Sequence, residues 1–245
     1  MVKFVEDELK SIRQEILDMW TLVYDQMNNV CEAIPTVDKE KAWDVLIREK
    51  RVNAYELKLD CDIEDFLVLY NPVAVDMRFI VAMLKINTDL ERIGDFAENI
   101  ARFIIRQDGE RIDAELLEKT RLKEMADAVL DMLATAKTAL ENEDLALANT
   151  LFEKDNLVDE INAASTKALA DYIGQHPEKA AFCLDFKGVF QHNGRRNRVL
   201  YRRRCAETLV GQEQDRPGPA APHAGRTGIK TFNNTQIHAS VPLST

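Results

Sequence analysis

The chain has 245 residues, enough for one large or two small domains with their own cores. Its formal charge is −10 and uneven: ten basic and three acidic residues lie beyond Asp185, so residues 1–185 carry −17. That acidic body argues against general nucleic-acid binding and suits cations or a basic partner.

The four cysteines (Cys31, Cys61, Cys183, Cys205) have no pairing or metal-like spacing and suit a reducing compartment. Met1-Val-Lys-Phe-Val-Glu-Asp-Glu is no signal peptide. No apolar run approaches the ~18 residues of a membrane span. A cytoplasmic protein is expected.

Residues about 3–34 read as a first amphipathic helix. Leu9, Ile12, Ile16, Met19, Val23, Met27 and Val30 recur at three- and four-residue steps, the narrow stripe of a bundle seam. Pro35-Thr-Val interrupts it, and Asp38 is placed to cap the next helix. The second helix runs to about Tyr70 along Ala42, Val45, Glu49, Val52, Glu56, Leu59, Ile63, Phe66 and Tyr70. Glu49 and Glu56 occupy seam positions, with Asn53 between them. Pro72 separates this helix from a third, which nothing but Gly94 interrupts before Asp108-Gly109. Glu91 and Asp95, four apart, project from one side of it, in a stripe with Ile80, Leu84, Asn87, Ala101 and Ile105. An unpaired buried charge is costly, so acids placed this way need a cation, an arginine or open solvent. Three long helices with short connections imply an up-down-up bundle.

The pattern then repeats at a shift of 106 positions. Ile16, Met19, Val23 and Met27 become Leu122, Met125, Val129 and Leu133. Asp38 becomes Asp144, again at a helix start. Glu49, Asn53 and Glu56 become Asp155, Asp159 and Asn162, so the polar interruption is copied with the seam. The reading is an internal duplication: an all-α protein of two tandem three-helix bundles, residues 1–108 and 109–185. The second is truncated, because no second Glu-Arg-Ile-Gly-Asp appears near position 197. Residues 186–245 read as a disordered basic tail holding six of the nine glycines and four of the seven prolines.

The string Pro72, Ala74, Asp76, Arg78, then Leu90-Glu91-Arg92-Ile93-Gly94-Asp95 and Asn99-Ile100, resembles the PhoU family of bacterial phosphate-transport accessory and regulatory proteins. The resemblance covers about residues 1–185. It implies tandem three-helix bundles and a cytoplasmic negative regulator of phosphate uptake and of the phosphate-starvation response. By the same resemblance, the partners are the ATP-hydrolysing subunit of the phosphate transporter and a membrane sensor histidine kinase. No catalysis is expected, since there is no nucleophile–base pair or phosphate-binding glycine loop.

The acidic seam residues form the candidate metal set: Glu49, Asn53 and Glu56 on the second helix, Glu91 and Asp95 on the third. All-oxygen donors suit hard cations and iron. The family's Glu/Asp-x-x-x-Asp motifs are its multinuclear metal ligands, and Glu91/Asp95 and Asp155/Asp159 match them; at Glu49/Asn53 an amide replaces the second acid. The cofactor expected is a divalent or ferric ion, among Fe, Mg, Mn and Zn. Asp76 and Arg78 need no such role, because an acid in a first turn favours the helix N-terminus.

Three rival readings differ in what they leave unexplained. A di-iron carboxylate enzyme needs Glu-x-x-His pairs, and none of His176, His192, His223 or His238 lies three residues after a Glu. A non-catalytic helical adaptor without metal explains the seams but not the copied polar interruptions. Nucleic-acid binding through the arginine-rich tail lacks a spaced aromatic platform.

Two further expectations concern the second half. A shortened bundle should leave the stripe from Leu122, Met125, Val129 and Leu133 to Leu169 and Tyr172 uncovered and favour a homodimer. The tail itself reads as an out-of-frame helix: codons for Gln191 to Arg204, taken one base later, permit Asn-Ile-Thr-Ala-Glu-Glu-Ile-Val-Phe-Tyr-Ile-Asp-Ala. That string parallels Asn99-Ile100-Ala101, but 14 residues earlier than the repeat places it.

Overall fold

The computed structural model describes residues 2–72, 74–109 and 111–189, and every regular element within them is helical. Helices α1 (Val2–Ala33), α2 (Lys39–Tyr70) and α3 (Ala74–Ile105) each span 32 residues and pack on one another as the first three-helix bundle. The α1 seam is buried as its periodicity requires, from Ile12 and Ile16 through Met27 and Val30. Lys58 of α2 pairs with Glu15 of α1, and Lys41 with Glu32 at 2.6 Å, so the two helices run antiparallel.

Local chemistry sets the boundaries. The Asp38 carboxylate accepts from the Lys41 N–H at 3.0 Å and opens α2. Asn71 ends α2 in the left-handed region (φ 45°), where Asn is tolerated better than most residues. Pro72 then cannot continue the helix.

The second half holds α4 (Ala114–Lys119), α5 (Leu122–Asn142), α6 (Leu145–Gln175), a 3-10 turn (Pro177–Lys179) and α7, the helical residues 180–189. The duplication is visible in the caps: Asp144 accepts from the Leu147 N–H at 2.9 Å, as Asp38 does from Lys41. One hydrophobic core joins residues from α1 through α7. Trp20 of α1 is fully buried and donates its indole N–H to the Leu133 carbonyl at 3.2 Å, tying α1 to α5.

That shared use of α1 corrects the expectation of an uncovered stripe. Leu122, Met125, Val129, Leu133, Leu169 and Tyr172 are all buried, none more than 5% exposed. Helix α7 packs on the first bundle, with Phe182 and Phe186 each 5.8 Å from the Phe103 ring of α3. Tyr172 also donates to Asp113 at 2.6 Å, joining α6 to the cap of α4. A dimer therefore cannot be argued from this stripe.

The chain divides into two units, Met1–Asp215 and Arg216–Thr245, and the second lies wholly outside the described residues. The expected disordered tail does not begin at Phe186, because residues 186–189 continue α7 and its apolar Phe186 and Val189 are buried; the rest of the tail, with the out-of-frame segment 191–204, also lies outside the described residues.

Candidate functional site

The site is built where α2 crosses Gly94 of α3. Glu49 is 3% exposed, and its carboxylate lies directly over that glycine. A Cβ at position 94 would stand 3.0 Å from Glu49 Oε2 and 3.0 Å from Val52 Cγ1. The missing side chain is thus what lets an acid sit between the two helices. Neither Glu49 oxygen makes a hydrogen bond among the described residues. Gln26 of α1, also fully buried, faces it closely enough to favour its charged form but outside hydrogen-bond geometry.

The other acids gather along the same helix pair. Burial, then Asp95 and Glu98, push the Glu49 carboxyl up to about 7; Gln26 opposes the shift and Glu91 adds to it. Burial, then Asp95 and Glu56, push Glu91 to about 7 against the pull of Arg92. Glu56 is raised by burial, Asp60 and Asp95. Asp95 is therefore the common neighbour of Glu49, Glu56 and Glu91. Glu49 and Glu91 are both raised to about 7 because burial disfavours their charged forms and neighbouring acids, Asp95 first, add repulsion.

Sequence reading and structure differ in detail. Glu49, Glu56, Glu91 and Asp95 are brought together, whereas Asn53 is exposed to solvent. The cause is helical drift: a site four residues beyond Glu49 lies some 40° further round the helix, toward the outer side here. Asp155 is buried (1% exposed) and Asp159 half-buried on α6, as the repeat of Glu49 and Asn53. The positions that the repeat sets opposite them, near 197 and 201, lie outside the described residues.

Three polar residues of the first bundle were given no role from the sequence, although Asn87 lies in the stripe of Glu91 and Asp95. Gln26 sits in the α1 seam, seven residues after Met19, and that register is the signal that could have found it. Asn87 is fully buried and donates to the Glu56 carbonyl at 3.0 Å and to Asp60 Oδ1 at 2.8 Å, which fixes the lower end of the acidic face. Asp89 is 2% exposed and accepts from Arg92 at 3.4 Å.

A family model described as the PhoU domain matches residues 16–104 and 122–187, most of the chain and both halves of the repeat. The chain belongs to the PhoU family. Its PhoU relatives include a phosphate-specific transport system accessory protein PhoU homolog of Burkholderia sp, 28% identical over 179 residues. A Thermotoga maritima protein named PhoU homolog 1 of the same system is 29% identical over 179 residues. Each alignment covers 73% of this chain and 76% of the relative. Among solved structures, PhoU from Pseudomonas aeruginosa superposes with a TM-score of 0.74 at 24% identity, covering 85% of this chain and 98% of that one. The phosphate transport system regulatory protein PhoU of Streptococcus pneumoniae gives 0.74 at 22%, covering 86% and 98%. The tandem three-helix bundle is thus the PhoU fold. PhoU homologues are phosphate-transport accessory proteins, which accords with a regulatory role.

The acidic face fits the metal that the family resemblance implies in its donor chemistry. It offers carboxylate oxygens only, two of them buried without a hydrogen bond, and a cation would relieve the mutual repulsion. Among the described residues, however, no three acidic, His or Cys side chains already converge as a ligand set.

Proposed function

We propose that this PhoU-family protein is a cytoplasmic negative regulator of phosphate uptake and of the phosphate-starvation response, acting by protein contact rather than catalysis. Its partners are the ATP-hydrolysing subunit of the phosphate transporter and the membrane sensor kinase. The observation that carries the reading is the Glu-Arg-Ile-Gly-Asp helix docked through Gly94 on Glu49, within a match to the family model that spans both halves. The relatives' names supply the transport system. No described helix is long and apolar enough to cross a membrane, which suits a protein that meets its membrane partners from one side.

Glu49, Glu56, Glu91 and Asp95 would hold the metal, which supplies positive charge between α2 and α3. The chain's part is to bury the oxygens, space them along two helices and admit Glu49 at Gly94. Elemental analysis of purified protein tests this, together with thermal unfolding in added Mg²⁺, Mn²⁺ or Fe. Bound metal that is lost in Glu91→Ala plus Asp95→Ala supports the site. No metal and no thermal shift in wild type would leave these acids with a structural role only. Co-purification with the transporter's ATP-hydrolysing subunit and with the sensor kinase tests the contacts. Failure to retain either partner would contradict them.

A further inference from the structure

Glu49 stands where all three helices of the first bundle meet. Helix α2 supplies it, Gly94 of α3 makes room for it, and Gln26 of α1 faces it. The ion pairs Lys41–Glu32 and Lys58–Glu15 fix the register of α1 against α2. Glu49 lies eight residues beyond Lys41, and Gln26 six residues before Glu32. The two are therefore level to within about 3 Å along the helices.

Gln26 is out of keeping with its own stripe. Met19, Val23, Met27 and Val30 around it are apolar and fully buried, and Gln26 is buried as completely. Neither end of its amide makes a hydrogen bond among the described residues, and neither does either oxygen of Glu49. Four buried polar atoms without hydrogen bonds thus gather at one point, where such groups are ordinarily satisfied. Burying an amide in this way is costly, and a Leu or Met at position 26 would fill the seam without that cost. Packing alone does not call for a Gln there.

What the amide offers Glu49 is an uncharged donor. A carboxylate can accept several hydrogen bonds or a cation. Its neighbours Asp95, Glu98 and Glu91 are acids that oppose its charge, whereas Gln26 favours it. An Arg or Lys in place of Gln26 would donate too, but its own charge would occupy the carboxylate in place of a cation. An amide N–H fixes one oxygen and leaves the negative charge available. A group that holds a metal ligand from behind in this way orients it and strengthens binding.

We propose that Gln26 is a positioning residue of the acidic site: its Nε2 donates to one oxygen of Glu49 and leaves the other for the cation held between α2 and α3. The role rests on the metal reading of that site. It adds a contribution from α1, which the acidic motifs of α2 and α3 do not contain.

Competition with a fluorescent chelator measures the affinity of the metal-free full chain for Mg²⁺, Mn²⁺ and Fe²⁺, with urea unfolding of the same metal-free protein beside it. Gln26→Met, apolar and close in volume, should weaken binding about 10–100-fold, while the urea midpoint without metal stays the same or rises. In a Glu49→Gln background, where Glu56, Glu91 and Asp95 remain to bind, Gln26→Met should weaken binding no further, because Gln26 acts through Glu49. Unchanged affinity in folded Gln26→Met overturns the proposal. So does a loss that adds in full to that of Glu49→Gln, or one matched by an equal loss of stability without metal. If Gln26→Met does not fold, Gln26→Asn, which keeps a polar amide but one methylene shorter, is read by the same criteria. A wild type that binds none of the three ions overturns the metal reading and this proposal together; a wild type that binds while Gln26→Met binds equally well overturns this proposal alone.

Discussion

The Glu49 carboxylate rests on the bare backbone of Gly94, so close that a Cβ there would lie 3.0 Å from one oxygen and 3.2 Å from the other. This contact sets the separation of α2 and α3 at the acidic face. An alanine in a helix interior ordinarily gains about 1 kcal/mol over glycine. Here the added methyl meets a buried acid and the stiff Val52 side chain, an overpacking cost of about 1–3 kcal/mol. Gly94→Ala should therefore destabilise the protein by about 1 kcal/mol, read as a lower urea midpoint. A higher midpoint would show that the contact is slack.

Protonation offers a second view of the same acids. Glu49 and Glu91 are raised to about 7 in the folded chain. Unfolded, they return to the ordinary Glu value of about 4.3. Between those values folding takes up protons, so the stability these groups contribute is full below about pH 4 and is lost as pH rises through 7. Glu49→Gln mimics the protonated form at every pH. In metal-free protein its melting temperature should gain on wild type as pH is raised from 5 to 8. A difference independent of pH would mean that Glu49 is not perturbed.

Much of this was legible in the chain. The first three helices were bounded to within a residue or two, because Pro35, Asp38 and Pro72 act locally and the core stripes are long. Glu49, Glu56, Glu91 and Asp95 stood out because a charge in an apolar stripe is itself the signal. Asn53 was drawn in by sequence spacing, and the helix turned it outward. The cover over α5 was not legible, because it depends on α1 serving both halves. Gln26 was passed over because it has no acid beside it in the α1 seam, and Asn87, though in line with Glu91, gave no sign that it would bond back to α2.

The packing of α7 on α3 has a measurable weight. Phe186 is fully buried, with its ring 5.6 Å from Phe182 and 5.8 Å from Phe103. Phe186→Ala should cost about 3 kcal/mol or more, within the range for a buried aromatic, and should lower the denaturant midpoint accordingly. A loss below about 1 kcal/mol would mean that residues 180–189 pack only loosely on α3.

The family match stops at residue 187, close to where composition changes. If the segment beyond is an out-of-frame helix, the bases encoding Gln191 to Arg204, read one position later, spell Asn-Ile-Thr-Ala-Glu-Glu-Ile-Val-Phe-Tyr-Ile-Asp-Ala. Sequencing the coding DNA decides this. Bases that do not spell that helix in the shifted frame make the tail a divergent one.

The regulatory role is tested most directly by deleting the gene in its source organism and following a phosphate-starvation reporter in phosphate-rich medium. The account predicts expression that stays high despite ample phosphate and is repressed again by a wild-type copy. A deletion strain whose reporter still responds normally to phosphate would contradict it.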